Sequence, residues 1–331
     1  MINLAIFGTG RIGTVHALNA ALNPEAKVKY LVDPVSSDHM TELAKKTGAI
    51  EADIATVFAD NSIHGVVIAS STDSHAELLI RAAEHGKAVF CEKPISLDFH
   101  TVVEAVKVVE RADIPCMMGF QRRYDPDFHA IKERIANGTS GNLEHIIIMT
   151  RDPTPPPIDY IKRSGGMFRD QVIHDFDMAR YLLGEEIKTV YAVGNCLVDT
   201  SIGDVGDIDT GMVTLTSTSG RFVQISNSRH SAFGFDQRVE VVCSKEVLSV
   251  GNRIQNAITI ADQNGFTTAP PENYFIDRFA TSYQREMQAF IELIETGTPA
   301  LAGIRDGLEA QRLAEAALES MKTGCAVELS Y

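Results

Sequence analysis

The segment from Gly165 to Asp177, which reads GGMFRDQVIHDFD, carries the residues best suited to acid–base chemistry. Asp170 and His174 lie four residues apart after a Gly-Gly pair, and on a helix that spacing places both side chains on one face. A carboxylate beside an imidazole orients the ring and stabilises its protonated form. The pair is therefore a candidate for proton abstraction, although a helical histidine on its own is more often a satisfied core residue.

A metal site is the alternative interpretation of the same segment. His174 with Asp170, Asp175 or Asp177 would supply two ligands, but no nearby cysteine or histidine cluster offers a convincing third. We therefore expect no metal. Asp175 and Asp177 are expected to bond backbone groups or to form an ion pair with Arg180.

A nucleotide-binding motif lies at the start of the chain, where Gly8-Thr9-Gly10-Arg11-Ile12-Gly13 reads G-x-G-x-x-G. It follows an apolar strand and opens a helix, the context in which such glycines allow a tight turn and a close approach of pyrophosphate to the backbone. Asp33 ends the next strand, twenty residues after Gly13, where an acidic side chain bonds the adenosine ribose. Its charge would repel a 2′-phosphate, and no arginine follows in residues 34–37, so NAD is favoured over NADP.

Lys93 stands in the sequence Glu92-Lys93-Pro94, directly after a predicted strand at Ala88–Cys91. Open α/β sheets bind ligands outside the carboxyl ends of their strands, so Lys93 is a candidate for contacting a bound substrate. Most lysines are solvated surface cations, and this placement is what favours a functional role.

Alternating strand and helix patterns position these residues over the first third of the chain. The predicted strands are Ile2–Phe7, Val28–Val32, His64–Ala69, Ala88–Cys91 and Cys116–Phe120, and the predicted helices are Arg11–Leu22, Ser37–Lys46, Ser74–His85 and Asp98–Arg111. Continuous apolar strands separated by helices predict a doubly wound parallel sheet, covered by helices on both faces, over residues 1–120.

Residues 121–331 form the second predicted domain, and their pattern is different. The predicted helices are Pro126–Ile135, Met167–Leu183, Ala280–Glu295 and Gly303–Met321, the strand Asn142–Thr150 precedes a proline-rich loop, and β-branched runs extend from Lys188 to Ile260. Consecutive strands without intervening helices predict an antiparallel or mixed sheet. The last helix, about 303–321, could pack back on the first domain.

Composition limits the class of partner. A formal net charge of −14 argues against nucleic acid, because nucleic-acid binders concentrate lysine and arginine. No apolar run is long enough for a bilayer, and the chain opens on a strand-like run without signal-peptide features, so we expect no membrane and a cytoplasmic protein. The five cysteines are widely spaced within or beside apolar runs, which favours buried thiols in a reducing compartment.

In combination these motifs resemble the glucose-fructose oxidoreductase / inositol dehydrogenase (Gfo/Idh/MocA) superfamily over nearly the whole chain. The matching features are Gly8–Gly13, Thr72-x-x-His75, Glu92-Lys93-Pro94, Gly119–Asp125, the Asp170/His174 segment and Glu272–Tyr283. Within the superfamily, Arg151–Asp177 is most similar to bacterial inositol 2-dehydrogenases.

The resemblance implies a Rossmann domain plus an α+β domain with a large open, mostly antiparallel sheet, often tetrameric through the face of that sheet. It implies that Lys93, Asp170 and His174 form the catalytic set. It further implies cofactor contacts at Ser71, Thr72, His75, Glu92 and Gln121. Candidate substrate contacts beyond the catalytic set are Arg122, Asp152, Tyr160, Phe235 and Tyr283. Arg122-Arg123 and Arg229-His230 are otherwise most simply surface or structural charges.

The expected reaction is NAD-dependent oxidation of a ring hydroxyl of a cyclic polyol, with myo-inositol to its 2-ketone as the leading case. His174 would be the general base, Asp170 would fix its tautomer, and Lys93 would donate to the reacting oxygen.

Three alternatives stay open. The first is a dehydrogenase of another inositol isomer or sugar, because Phe233-Gly234-Phe235-Asp236 stands where inositol dehydrogenases often carry Tyr-Gly-Tyr-Asp, and lost hydroxyls change specificity. The second is a non-catalytic NAD-binding regulator. The third is a lyase or hydrolase that keeps NAD as a prosthetic group.

Overall fold

A computed structural model describes residues 1–331 and contains fifteen strands and twelve α-helices. The strands are β1 (Ile2–Phe7), β2 (Ala26–Val32), β3 (Ile50–Glu51), β4 (Gly65–Ile68), β5 (Ala88–Glu92), β6 (Cys116–Gly119), β7 (Leu143–Arg151), β8 (Ile187–Asn195), β9 (Thr210–Ser217), β10 (Phe222–Ser228), β11 (Asp236–Cys243), β12 (Val247–Val250), β13 (Thr259–Asp262), β14 (Gly265–Thr268) and β15 (Val327–Glu328). The helices are α1 (Arg11–Leu22), α2 (Asp38–Thr47), α3 (Ile54–Ala59), α4 (Thr72–Glu84), α5 (Phe99–Ala112), α6 (Pro126–Ala136), α7 (Ile158–Ser164), α8 (Ile173–Leu183), α9 (Thr200–Asp204), α10 (Phe275–Arg278), α11 (Ala280–Thr296) and α12 (Ile304–Thr323). A 3₁₀-helix covers Gln121–Tyr124 and a π-helix covers Phe168–Val172.

The chain forms two compact units. The first contains residues 1–125 and 281–311, and the second contains residues 126–280 and 312–331. The predicted division at residue 120 differs from this, because residues 281–311 return to the first unit. The physical reason is the apolar face of α11, whose Phe290 and Ile291 are fully buried in the core that the first sheet builds.

The first unit contains a six-stranded parallel sheet in the order β3-β2-β1-β4-β5-β6. This confirms the predicted doubly wound sheet; the prediction missed the short elements β3 and α3, whose few residues carry little periodicity. The strand order reverses between β1 and β4, which is where open α/β sheets bind ligands. The glycine motif follows β1 and Lys93 follows β5, so both lie at carboxyl ends of strands.

The second unit contains a seven-stranded mixed sheet in the order β12-β11-β7-β10-β9-β8-β15. Only β7 and β10 pair in parallel, and the other neighbours are antiparallel. Alternate residues of β10, among them Val223 and Ile225, are fully buried, while Phe222 on the opposite face is 54% exposed. The predicted mostly antiparallel sheet is therefore confirmed, and one of its faces is open.

One predicted element differs in its internal geometry. The helix expected over Met167–Leu183 begins with the π-turn at Phe168–Val172 and becomes α-helical only at Ile173. A π-turn is uncommon and often marks a functional site. Local periodicity cannot distinguish it from an α-turn, because tertiary contacts select it.

None of the helices combines the length and the apolar character that crossing a bilayer requires. All five cysteines are free thiols, and Cys91 and Cys243 are buried as predicted. Cys325 is exposed, so the prediction of buried thiols is wrong at that position.

Candidate functional site

The glycine turn of the first unit is shaped by two positions that exclude side chains and one that does not. A Cβ on Gly8, whose φ is +92°, would lie 2.5 Å from the carbonyl oxygen of Ala69 and from Cα of Ser70. A Cβ on Gly13 would collide with the Gly8 carbonyl oxygen. Gly10 has nothing within 4 Å of its Cβ position. The turn is thus closed on the protein side and open at Gly10, which fits a dinucleotide pyrophosphate.

The first helix adds an electrostatic reason for that fit. No side chain caps the amino end of α1, whose N-cap is Gly10. Its first amides and the positive end of its dipole are therefore available to an anion.

Asp33 lies beside the turn and is fixed by it. Its Oδ2 accepts hydrogen bonds from the Thr9 amide at 2.8 Å and the Thr9 hydroxyl at 2.9 Å, and its Oδ1 accepts from the Val35 amide at 3.2 Å. The carboxylate is partly buried at the end of β2. This is the placement expected of the residue that would hold the adenosine ribose.

The remaining predicted cofactor contacts of the first unit differ in exposure. Arg11 and Ser71 are exposed, whereas Ile12, Thr72, Glu92 and Lys93 are partly buried. His75 is only 2% exposed and Gln121 only 4% exposed. Both ring nitrogens of His75 face backbone carbonyl oxygens, so its ring is engaged by the protein itself. For each of these residues, contact with the cofactor stays a prediction.

In the second unit, Asp170 lies at the centre of a polar network. Its Oδ1 accepts a hydrogen bond from the Tyr160 hydroxyl at 2.9 Å, and its Oδ2 lies 3.8 Å from Nη1 of Arg229. Burial of the Tyr160 hydroxyl and the neighbouring Asp170 carboxylate raise the pKa of that tyrosine above its ordinary value. Tyr160 therefore stays a neutral hydrogen-bond donor across the pH range in which an enzyme would work.

Asp170 and His174 share the less buried side of their segment. Both are half-buried, whereas Gln171, Val172 and Ile173 between them are buried. The neighbouring Arg169 binds Glu315 through two hydrogen bonds of 2.6 Å. Side chains of consecutive residues are thus held in different directions by partners of their own.

Arg229 pairs with two carboxylates of this network, and sequence reasoning did not assign it to the site. Its side chain is 1% exposed and its Nη2 lies 3.0 Å from Oδ2 of Asp207, so Arg229 is the structural charge, and not the surface charge, of the two predicted interpretations. Asp207 also accepts a hydrogen bond from the Met167 amide at 2.9 Å, at the turn made by Gly165 and Gly166. The two-residue periodicity of a strand could have indicated its burial. Arg229 continues the alternation in which Val223, Ile225 and Asn227 are buried.

Asp152 is positioned at the end of β7. Its Oδ2 accepts a hydrogen bond of 2.9 Å from Gln171, whose amide also donates to the Ser228 carbonyl at 3.2 Å. The Gln171 side chain therefore links the proline-rich loop, through Asp152, to the end of β10. Gln171 was not singled out from the sequence, because a glutamine in a helical pattern carries no distinctive spacing.

Asp175 and Arg180 also have side-chain partners that the sequence analysis did not name. The Asp175 carboxylate is fully buried and accepts hydrogen bonds from Thr150 at 2.7 Å and from Asn227 at 2.6 Å, rather than only from backbone groups. Arg180 pairs with Glu186 through two hydrogen bonds of 2.7 and 2.6 Å. Sequence spacing alone could not supply Thr150 and Asn227 as partners of Asp175, because they lie on β7 and β10.

Arg122 and Arg123 were predicted to be surface or structural charges, and both are buried. Arg122 is 3% exposed and Arg123 is 5% exposed. Arg123 donates to the Leu301 carbonyl and binds Asp306 at 2.8 Å, and so ties the 3₁₀-helix to the start of α12 within the first unit. A role for Arg122 toward substrate stays a prediction.

The aromatic candidates differ in exposure. Phe235 is 4% exposed and packs edge-to-face on Phe279 with ring centroids 6.1 Å apart, whereas Phe233 is 50% exposed. Tyr283 is 3% exposed in the first unit, with its ring 5.8 Å from that of His16. Substrate contact by Phe235 and Tyr283 stays a prediction, and what the structure shows for both is ring packing.

The glycine turn generates a paired prediction. Gly8→Ala should lower both the melting temperature and NAD affinity, because the residue must hold a positive φ against Ser70. Gly10→Ala should keep the melting temperature and lower NAD affinity, because the added methyl enters open space on the cofactor side. Thermal unfolding and titration with NAD measure the two quantities, and unaltered NAD binding by Gly10→Ala would contradict the assignment.

The Arg229 network generates a stability prediction. Arg229→Leu should destabilise the fold by about 3–5 kcal/mol, because it leaves the Asp170 and Asp207 carboxylates without their cation. Urea unfolding measures the change, with Arg229→Lys as the charge-preserving control. A loss below about 1 kcal/mol, typical of a surface ion pair, would show that the pairing is weak.

Comparisons with known proteins identify the family to which the chain belongs. The model described as "Oxidoreductase family, NAD-binding Rossmann fold" matches residues 2–120, and that described as "GFO/IDH/MocA C-terminal domain" matches residues 128–249. An inositol 2-dehydrogenase from Rhizobium meliloti is 42% identical over 322 residues, covering 97% of each chain. A myo-inositol 2-dehydrogenase from Thermotoga maritima is 39% identical over 330 residues, covering 99% of this chain and 98% of the relative. The crystal structure of a myo-inositol dehydrogenase from Corynebacterium glutamicum has a TM-score of 0.95 and 38% identity, covering 100% of this chain and 99% of that one. The chain therefore belongs to the GFO/IDH/MocA family of oxidoreductases, as its motifs predicted.

Proposed function

We propose that this protein oxidises a ring hydroxyl of an inositol to the ketone with NAD, and that myo-inositol is its substrate. The observation that carries the proposal is the end-to-end match to inositol dehydrogenases at 39% and 42% identity. The glycine turn, the open amino end of α1 and the fixed Asp33 support NAD as the cofactor.

The proposed roles divide between the cofactor and the side chains. When bound, NAD supplies the acceptor for the hydrogen on the carbinol carbon. His174 takes the proton of the hydroxyl, because an imidazole is the side chain best suited to act as a base near neutrality. Lys93 donates to the reacting oxygen and stabilises the negative charge that develops there.

Asp170 serves as the residue that orients His174 in this proposal. The Tyr160 hydroxyl and the Arg229 guanidinium hold one carboxylate oxygen each, so Asp170 cannot rotate freely. A base whose orienting partner is itself fixed needs no reorganisation when the substrate binds.

A second candidate is an inositol isomer other than myo-inositol. The observation that favours it is Phe233, half of whose surface is exposed at a position where related enzymes often carry a tyrosine. An enzyme that lacks one hydrogen-bond donor discriminates differently between axial and equatorial hydroxyls.

Turnover tests the proposal directly. The purified protein with NAD should form NADH from myo-inositol, and His174→Ala or Lys93→Ala should lower kcat by about 10²- to 10⁴-fold. His230→Ala is the matched control, because His230 is exposed and is placed in none of the roles above. Absence of turnover with myo-inositol, scyllo-inositol or glucose between pH 7 and 10 would sink the dehydrogenase proposal. NAD binding without any turnover would instead indicate a regulator.

We also propose a homotetramer formed through the open face of the second sheet, and a cytoplasmic location. Val193 and Met212 oppose each other in register on that face and are 46% and 52% exposed. Adjacent exposed apolar side chains on a sheet face mark an interface. The free thiols fit a reducing compartment.

The assembly prediction is that Met212→Glu reduces the oligomer in light-scattering chromatography. A charge in the centre of an apolar interface must be desolvated, and this opposes association. Glu240→Gln, on β11 of the same sheet and three strands away from β9, is the milder control. A monomeric wild-type protein would contradict the proposal.

A further inference from the structure

Two buried histidines of the first unit contact the residues on either side of Lys93. His16 is fully buried in α1 and His75 is 2% exposed in α4. His16 contacts Glu92 and His75 contacts Pro94. Neither histidine has a part in the proton transfer proposed above.

The contact on the amino side of Lys93 is a bond to a carboxylate. Nε2 of His16 lies 2.7 Å from Oε1 of Glu92, whose side chain is 13% exposed. An imidazole N–H that donates to a carboxylate is among the stronger hydrogen bonds of proteins. The His16 ring is itself held edge-to-face by Phe90, with centroids 4.6 Å apart, and by Tyr283.

The Glu92 carboxylate is also confined by its other neighbours. A Cβ on Gly119 would lie 2.7 Å from Oε2 of Glu92, so a glycine is what leaves room for this group. Gly119 pairs with Glu92 in the register of β5 and β6. The fully buried Glu286 of α11 completes the cluster, with its carboxylate within 4.8 Å of the His16 and Glu92 atoms.

The contact on the carboxyl side of Lys93 is made to the backbone. Nδ1 of His75 lies 2.9 Å from the Pro94 carbonyl oxygen, and Nε2 lies 3.0 Å from the Ser70 carbonyl oxygen. Burial lowers the pKa of His75, against the raising effect of the two carbonyls and of Glu92. A neutral ring has one N–H, so it can donate to only one of the two carbonyls at a time.

Both histidines stand on helices that begin at the dinucleotide side of the sheet. α1 starts directly after Gly10, and α4 starts two residues after Ser70, whose Cα lies against Gly8. The loop that carries Lys93 is therefore tied to the same two helix starts that shape the glycine turn. A shift of either helix start would move Lys93 with it.

We propose that His16 and His75 form a clamp that positions Lys93, His16 through Glu92 and His75 through the Pro94 carbonyl. The inference rests on the proposed role of Lys93 as donor to the reacting oxygen. Lysine carries its ammonium group on a flexible four-carbon stem, so its backbone must be fixed if the donor is to be in place. A misplacement of about 1 Å can cost about 10²-fold in rate.

The two nitrogens of His75 allow the clamp to be tested one contact at a time. His75→Asn keeps an amide donor close to the Nδ1 position and so toward Pro94, whereas His75→Gln keeps one close to the Nε2 position and so toward Ser70. His75→Gln should lower kcat by about 10- to 100-fold, and His75→Asn should retain more of the wild-type kcat. The opposite order would overturn the role of the Pro94 contact.

His16 is tested by the same logic. His16→Leu removes the donor to Glu92 and should lower kcat by about 10- to 100-fold, and His16→Gln should restore part of it. If His16→Leu does not fold, His16→Gln and the His75 pair still decide the question by their kcat values. His64→Gln is the matched control, because this exposed histidine accepts from the Asn3 amide at 2.9 Å and should leave kcat unaltered.

A double-mutant cycle with Lys93→Ala separates positioning from general loss of structure. If the clamp acts through Lys93, His75→Gln should lower kcat in the wild-type background and leave the residual kcat of Lys93→Ala unaltered. An equal loss in both backgrounds would overturn the proposal and indicate a structural role. A Lys93→Ala variant with wild-type kcat would refute the proposed function of Lys93, which is a different result.

His16, Glu92 and Glu286 also offer three ligand atoms for a cation. Treatment with a chelator distinguishes such a metal site from the clamp. Activity that survives dialysis against EDTA supports hydrogen bonding between His16 and Glu92 as the working contact. Activity that is lost in EDTA and returns with Zn²⁺ or Mn²⁺ would overturn the clamp in favour of a metal site.

Discussion

The close approach of Gly8 to the loop after β4 is the constraint on which the first unit's site depends. No side chain fits between Gly8 and the Ala69 carbonyl or Cα of Ser70. The turn after β1 and the loop after β4 are therefore in direct backbone contact, and neither can move without the other. The His75 ring contacts the carbonyl oxygens of both Ser70 and Pro94. The contact between Gly8 and Ser70 therefore helps to position both the glycine turn and the loop that carries Lys93.

The second unit relies on a charge rather than on a steric contact. Arg229 is buried, and a buried guanidinium needs carboxylates close by to offset the loss of its hydration. Asp207 and Asp170 meet that need from two segments of the chain, one of which is the π-turn. Asp170 reaches Arg229 from within this irregular segment. Local propensity alone would have favoured a regular α-helix there.

The sequence predicted the parts of the fold that follow from periodicity, and several parts of the site that follow from motif context. The strands and helices around Gly8, Asp33 and Lys93 could be placed because apolar runs and glycines determine them locally. Arg229, Asp207 and Gln171 could not be singled out, since their importance arises from partners far away in sequence. The sequence indicated a possible return to the first unit only for the last helix and not for α11, because helical periodicity indicates that a face is buried but not against which sheet.

Phe233 and Phe235 differ in burial, and this difference decides which missing hydroxyl could affect substrate specificity. Phe235 packs on Phe279 inside the core, where a tyrosine hydroxyl would need a buried partner of its own. Its missing hydroxyl is therefore explained by packing. Phe233 is half exposed, so only there does the missing hydroxyl remove a donor that a ligand could use. Because Tyr160 and Arg229 hold Asp170 without help from either ring, the substrate could change while the residues proposed for acid–base chemistry kept their geometry.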